Sequence, residues 1–398
     1  MMNNPQIHLF DDHSWDNLLP LTFTRPVSHL RVGIITIAEK WEHDLGSKAS
    51  TLTRKHLSGK FPCQTGEDNL FINGSLLPDR EVVKAILALK NAESLEIDGT
   101  LLAVRSSERA EQFEVNRWLG KGGNYKGDVS LVDFPWKIFE LNGQEIKADF
   151  LRLTAGRESS KLSDTVQVID GERVFAEPGF KGEYITLNAS LGPIYLGRDS
   201  EIMEGSVIRG PFGLCERSTV KMSAKIYGPT TIGPDSQAGG EIKNSVIQGS
   251  SNKSHDGYLG NSVIGEWCNL GADTNNSNLK NNYSEVNIWN YASRGYMGTG
   301  SQFCGLIMGD HSKCGINTMF NTGTVVGVSA NIFGSGFLPK FVPSFSWGGA
   351  GGFTHYQLEK MLETAAEVMS RRETRLTDAD RAILEFIFSY TEEFRNGT

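Results

Sequence analysis

From Leu196 onward, aliphatic residues recur at every sixth position: Leu196, Ile202, Ile208, Leu214, Val220, Ile226, Ile232 and Ala238. The residues between them are rich in Gly, Ser, Asp and Pro, as in Gly205-Ser206 and Gly233-Pro234-Asp235. The frame breaks near Lys243, reappears with Ile264 and Leu270, and returns at Met308, Cys314, Phe320, Val326 and Ile332. Neither a 3.6-residue helix nor an alternating strand has this period. Short strands joined by tight turns do, each sending one aliphatic side chain inward. Three such hexapeptides close a triangular coil, and coils stack at the ~4.8 Å spacing of paired strands. Small and turn-forming residues suit the corners. The pattern predicts a left-handed parallel β-helix of the hexapeptide type over residues 186–346. A β-sandwich of short strands would instead repeat every ~8–12 residues.

Before residue 186 the pattern changes. Residues 7–10 read as an opening strand and 32–37 as the next apolar run. Asn69–Asn73 reads as a buried strand, 80–90 as an amphipathic stretch, and 101–105 as another strand. Strands alternating with helices predict an α/β domain with a mainly parallel sheet over residues 1–185. The stretches 120–127 and 155–164 read as loops, and 178–182 with 191–193 mark the passage into the repeat. After a Gly-rich junction at 347–352, residues 347–398 form a helical tail. Thr354 is placed to cap a helix carrying Leu358, Met361, Leu362, Ala365 and Met369. Thr377 with Asp380 caps a second, carrying Ile383, Leu384, Ile387 and Phe388. Their amphipathic pattern predicts packing on the end of the β-helix or on a neighbouring subunit.

Composition narrows the function classes. Of 398 residues, 39% are hydrophobic and 22% charged, a foldable globular mixture. The net charge of −8 argues against nucleic acid as the partner, because such affinity rests on Lys and Arg neutralising phosphate. No apolar run approaches the ~20 residues that span a bilayer. The first five residues, MMNNP, show neither the basic nor the apolar region of a secretory signal. Cys63, Cys215, Cys268, Cys304 and Cys314 are an odd set without CxxC spacing, and read as buried thiols of a reducing compartment. These features together predict a cytoplasmic protein.

Chemistry-bearing residues concentrate where the repeat frame breaks. Glu241-Ile242-Lys243 is followed by His255, Tyr258, the run Asn269-Leu270-Gly271-Ala272, and Asn278. In these residue types and spacings the stretch resembles the acetyltransferase site of the bifunctional N-acetylglucosamine-1-phosphate uridyltransferase/glucosamine-1-phosphate acetyltransferase family. An α/β domain followed by a hexapeptide β-helix is also that family's layout. With the tract IMGDHSKCGINTMF at 307–320, the whole chain looks like a branch of the family found in Bacteroidetes-type bacteria. The resemblance implies acetyl transfer from acetyl-CoA to glucosamine-1-phosphate. It makes His255 the general base, a role suited to imidazole. Lys243 would hold the sugar phosphate as a point charge, and Tyr258, Asn269 and Asn278 would bind substrate. The backbone N–H of Ala272 would stabilise the oxyanion. The resemblance also implies a homotrimer with sites between adjacent prisms. A bland reading stands beside each residue. Asn residues also stack at β-helix corners, a lone Lys is usually a solvated charge, and His311 and Lys313 fit a corner better than a CoA site. The sequence departs from the family pattern at Leu279, where Tyr is expected, and at Asp273, where Gly is. The latter puts a negative charge beside the oxyanion position.

The N-terminal region resembles sugar nucleotidyltransferases in LLPLTFTRP (residues 18–26) followed by Val32-Gly33, and in the strand leading through Asn73-Gly74-Ser75. This implies uridylyl transfer from UTP with Mg²⁺, making UDP-N-acetylglucosamine. Its departures fall on chemistry. The Gly-rich phosphate loop is replaced by Asp11-Asp12-His13-Ser14-Trp15-Asp16-Asn17. Val27 stands at the catalytic Lys position and Ser75 at the metal-binding Asp. Either Arg25, Arg31, Asp11 and Asp12 supply a variant site, or the domain only binds. Three readings follow: a bifunctional sugar-1-phosphate enzyme, an acyltransferase with a binding-only N-terminal domain, and a non-enzymatic β-helix assembly protein.

Overall fold

The computed structural model describes residues 5–396, and the chain divides into two compact units. The first comprises residues up to 18, 24–30 and 35–134; the second comprises 19–23, 31–34 and the chain from 135 onward. Most of the segment examined for a secretory signal, residues 1–4, lies outside the described residues.

The first unit is built on a six-stranded sheet. Gln6–Phe10 lies between Ala49–Leu52 and Asn69–Asn73, parallel to both. Asn69–Asn73 is buried along its whole length, as its apolar run implies. Thr100–Ser106 alone runs antiparallel, folding back on Glu93–Ile97, so the sheet is mainly parallel, as expected, with one reversed strand. The turn is Asp98-Gly99, both at positive φ (48° and 78°), the residue pair a two-residue hairpin favours. The stretch 80–90 contains the helix Arg80–Leu87, capped by Asp79 and burying Val82 and Ile86. The apolar run 32–37 ends at Thr36, which opens the helix Ile37–Leu45 through a reciprocal capping box with Glu39.

The second unit is a parallel β-helix with three faces. The first face has nine strands, from Val174–Ala176 to Phe341–Val342, and the second has ten, from Lys181–Gly182 to Gly352–His355. The third has six, from Gln167–Ile169 to Tyr258–Gly260. The six-residue frame is the filling of this prism. Leu196, Leu214, Ile232, Ile264, Met308 and Val326 come from the first face, Ile202, Val220 and Ala238 from the second, and Ile208 and Ile226 from the third. All lie in one buried core. Past Ala238 the frame slips because the steps to Ile242 and Ile247 are shorter than six residues, yet both still point inward. A second break follows Asn276, where an insertion carries the antiparallel hairpin Asn287–Asn290/Gly295–Gly298. The prism begins at Gln167, earlier than residue 186, because loops of unequal length in the first coil hide its period.

One element had no signature in the repeat analysis: the twenty-residue helix Pro135–Thr154. It belongs to the second unit and holds residues 31–34 there. Asn142 Oδ1 accepts from Gly33 N, and Asp149 Oδ2 from Ile34 N, each at 2.8 Å. On the β-helix side, Thr231 Oγ1 donates to Gly33 O (2.9 Å). Gln248 accepts from Arg31 N through its side chain and from the guanidinium through its carbonyl.

The tail differs at its start. Thr354 is no helix cap; it lies in Gly352–His355, which pairs antiparallel with Ser346–Gly349, and its hydroxyl donates to Trp347 O. The helix Leu358–Ser370 starts after Gln357. Thr377 and Asp380 do form the expected capping box of Asp378–Tyr390. These helices pack on their own β-helix: Arg372 reaches Asp235 O and Asn252 Oδ1, and Phe345 meets Phe388 edge-on. All five cysteines are free thiols. Four are buried, but Cys63 is partly exposed, because it sits in the loop after Ala49–Leu52 rather than in a core.

Candidate functional site

The third face and the corner that precedes it gather most of the residues singled out by sequence. Ile242 points into the core, so its neighbours Glu241 and Lys243 point outward. On the next coil Leu259 points inward and Tyr258 outward, with Glu241 opposite Tyr258 and Lys243 opposite Gly260. Asn278 Nδ2 donates to Tyr258 Oη (3.1 Å) and to Asn261 Oδ1 (2.7 Å), while Asn261 N donates to Lys243 O (3.0 Å). Burial raises the Tyr258 hydroxyl above the usual phenol range, partly offset by Asn278, so it stays a neutral donor. Lys243 is exposed. The result is a polar patch on successive coils, with the Lys243 cation, the Tyr258 phenol, the Asn278 amide and the Glu241 carboxylate.

His255 is exposed at the corner between Asn252–Lys253 and Tyr258–Gly260. Ala272 occupies the same corner one coil on, and the corners are stacked by hydrogen bonds: Asp273 N to Asp256 O (3.0 Å) and Asn317 N to Ala272 O (2.8 Å). Gly271 N and Thr274 N are likewise committed to Cys314 O and Gly271 O. The Ala272 N–H takes no acceptor among the described residues, as an oxyanion donor requires. Gly271 cannot carry a side chain here, since a Cβ would meet the Gly315 carbonyl carbon at 2.4 Å.

Asn269 is not brought to this patch. It points out from the second face, 3.5 Å from Asn252, whose own oxygen accepts from Arg372. The two departures from the family pattern have local reasons. Asp273 sits at φ 57°, one of several corners where Asp199, Asp235, Asn261 and Asn317 adopt the left-handed region that Asp and Asn tolerate. Leu279 pairs with Phe303 and closes the base of the insertion. Lys313 donates to His311 O (2.9 Å), a corner role.

One residue in this region was passed over by sequence reasoning. Lys253 occupies an inward position, between Ala238 and Leu270 in the second-face column, and is 2% exposed. Its Nζ donates to His255 O (2.5 Å) and Asp256 O (3.2 Å). Burial lowers its pKa to about 8, opposed by the charges of Asp256, Cys314 and Asp273. Its sequence signal is a Lys where the inward column requires an apolar residue.

In the first unit, Asp11 and Asp12 follow Gln6–Phe10 at its carboxyl end, where open α/β sheets place ligands. With His13, Asp16, Arg54, Thr100 and Asn116 they line a cleft of about 320 Å³. Arg25 does not line it and is 6% exposed, and Arg31 is held in the second unit by Gln248, so neither cation proposed from sequence reaches the cleft. Arg54 does, which sequence reasoning missed; it pairs with Asp16 at 2.7 Å and lies over the Trp15 ring. Asp12 accepts from Ser14 N (2.8 Å), Ser14 Oγ (2.5 Å) and Asn73 Nδ2 (2.9 Å). Asp11 accepts from Val27 N (2.9 Å) and Thr53 Oγ1 (2.5 Å), and burial raises its carboxyl to about 7. Ser75 turns its hydroxyl and N–H onto Asn73 Oδ1. Magnesium prefers carboxylate oxygens with open coordination. Internal donors already occupy both oxygens of each carboxylate, and burial drives Asp11 towards its neutral form. The described residues contain no group of three His, Cys, Asp or Glu able to hold a metal. The cleft does not fit a resident Mg²⁺.

Comparison with known proteins bears on both units. Residues 7–158 match the family model described as sugar nucleotidyl transferase. The chain is 28% identical over 211 residues to a bifunctional sugar-1-phosphate nucleotidylyltransferase/acetyltransferase of Sulfurisphaera tokodaii, covering 52% of this chain and 46% of that one. Two proteins named bifunctional protein GlmU are similarly related. That of Methanocaldococcus jannaschii is 29% identical over 56% of this chain and 48% of its own length. That of Methanococcus maripaludis is 28% identical over 68% and 61%. The chain spans about half the length of the first of these relatives. No helix among the described residues is long and apolar enough to cross a membrane. Residues 7–158 thus carry a sugar nucleotidyl transferase domain, and the chain as a whole is similar, at modest identity, to bifunctional sugar-1-phosphate nucleotidylyltransferase/acetyltransferases.

Proposed function

We propose that this chain is a bifunctional sugar-1-phosphate enzyme. Its β-helix transfers acetyl from acetyl-CoA to glucosamine-1-phosphate, and its N-terminal cleft transfers uridylyl from UTP to the acetylated product, giving UDP-N-acetylglucosamine. The observation that carries the first activity is the joining of Lys243, Tyr258 and Asn278 on one face to the His255–Ala272 corner. Lys243 anchors the phosphate and Tyr258 with Asn278 orients the sugar. His255 takes the ammonium proton as the nitrogen attacks the thioester carbonyl, and the oxyanion meets the Ala272 N–H before CoA leaves as thiolate. The patch is open on its outer side, and a second copy of the prism, in a homotrimer, encloses the acyl-CoA.

A second reading has its own support. The cleft is lined by Asp11, Asp12 and Asp16, and its Arg54 is paired with Asp16, which disfavours a triphosphate there. On that reading the unit binds a sugar phosphate and transfers nothing. One experiment tests both: amino-sugar phosphates with acetyl-CoA and UTP, following free thiol and pyrophosphate separately. Thiol release should occur with glucosamine-1-phosphate and fall roughly 10²–10⁴-fold in His255→Ala, while pyrophosphate release from UTP with N-acetylglucosamine-1-phosphate supplied directly stays unchanged. Acetyl transfer that survives the substitution within a factor of a few removes His255 from the mechanism. Thiol release without pyrophosphate establishes the second reading.

A further inference from the structure

The corner that carries His255 contains a conflict of charge. Asp256 follows His255 directly, and Asp273 lies one coil on, its N–H bonded to Asp256 O. Both residues therefore belong to the corner that carries the Ala272 N–H, Asp273 as its chain neighbour and Asp256 one coil before, where the proposed reaction builds negative charge. A corner serving acyl transfer should carry the opposite field.

The interior of the prism supplies it. Every neighbour of Lys253 along its inward column is apolar: Val220 and Ala238 on one side, Leu270 and Cys314 on the other. A lysine there gives up hydration that a methionine or leucine would not need, so packing does not explain it. Its ammonium is spent on the two carbonyls of the catalytic corner, His255 O and Asp256 O, held from inside. The charges that act on it from the elements packed around it are the Asp256 and Asp273 carboxylates, with the neutral Cys314 thiol also facing it.

We propose that Lys253 is a positioning residue for acyl transfer: an internal cation that fixes the His255–Asp256 backbone and offsets the Asp256 and Asp273 carboxylates beside the oxyanion site. This deepens the acetyltransferase reading and rests on it. The clamp sets the direction of the imidazole through the backbone, and the charge makes Asp273 compatible with the Ala272 donor.

Two variants and two readouts test this. Lys253→Met keeps the length of the side chain and suits an apolar column, so the fold should persist. Its kcat for acetyl transfer should fall at least tenfold, with KM for acetyl-CoA and for the amino-sugar phosphate within twofold. Adding Asp273→Asn should recover at least threefold of that loss, because it removes the charge that Lys253 offsets; a purely structural lysine gives no such recovery. Independently of activity, hydrogen exchange at the Asp273 amide, whose acceptor is Asp256 O, should quicken in Lys253→Met. A Lys253→Met kcat within twofold of an active wild type, no recovery in the double variant, or unchanged exchange at Asp273 would each overturn the proposal. An inactive wild type with altered exchange at Asp273 overturns the acetyltransferase reading, and with it the catalytic role of the clamp.

Discussion

Replacing Asp11 by Asn should stabilise the first unit, increasingly so as pH rises. Asp11 is half-buried at the cleft wall, and its carboxyl is raised from the ordinary 3.8 to about 7, chiefly by desolvation, against the lowering effects of Thr53, Val27 and Arg54. Below pH 3.8 the folded and unfolded chains both hold the proton, and the group costs nothing. Between 3.8 and about 7 the unfolded chain ionises while the folded one does not, so stability falls with rising pH. At about 1.4 kcal/mol per pH unit, the cost levels off near 4 kcal/mol above pH 7. Asparagine mimics the protonated acid: its oxygen can accept from Val27 N, and its amide can donate to the Thr53 hydroxyl. The advantage of Asp11→Asn over wild type should therefore widen by roughly 2.5 kcal/mol between pH 5 and pH 8. Native-state hydrogen exchange at the Gln6–Phe10 amides, corrected for intrinsic rates, reads this difference directly. All other titrating groups are shared and cancel. Parallel stability curves for the two proteins, or a wild type that gains on the variant as pH rises, would refute the reasoning.

Three further outcomes are expected. Ile232→Ala, at a fully buried first-face position, should cost ~2–5 kcal/mol in urea unfolding, since the stacked coils on either side cannot collapse onto the gap. Arg54→Ala and Asp12→Asn should each lower pyrophosphate release from UTP at least tenfold while leaving thiol release from acetyl-CoA within twofold; loss of both activities would show that the change spread beyond the cleft. Light scattering of the purified protein at micromolar concentration should give a homotrimer, and a stable monomer would count against a site completed by a second prism.

The β-helix was legible because its physics is periodic: one inward side chain per face, repeated coil after coil, leaves a frame that survives the slip at Ile242 and the insertion after Asn276. The capping box at Thr377 was legible for a similar reason, as a local hydrogen-bond exchange between two named residues. The helix Pro135–Thr154 left no comparable mark. Its inward positions include Asn142 and Asp149, polar groups buried because they serve backbone donors more than a hundred residues away in sequence. No local pattern encodes such a partner. The same blindness misplaced Arg31, offered as part of a variant nucleotidyl site although its hydrogen bonds run to Gln248. At the candidate site, spacing located Lys243, Tyr258 and His255. Asn269 followed the same spacing, yet a corner turns it onto a different face. Lys253 was hidden by its neighbours' chemistry, since beside a serine, a histidine and an aspartate a lysine reads as surface.

The way residues 31–34 are held also sets a timetable for synthesis. Arg31 leaves the ribosome long before Gln248, its partner 217 positions later in the chain. At ~5–20 residues per second the interval is on the order of ten seconds or more. Until Thr154 has emerged, Val32 and Ile34, both buried in the finished molecule, lack the helix Pro135–Thr154, and the coils that cover them follow later still. The nascent chain thus carries an uncovered apolar segment early in its translation, and a binder of unfolded chains acting then would find it there. Fragments that begin at the first coil would lack this segment altogether, leaving Thr231 and Gln248 facing solvent on a surface evolved to be covered.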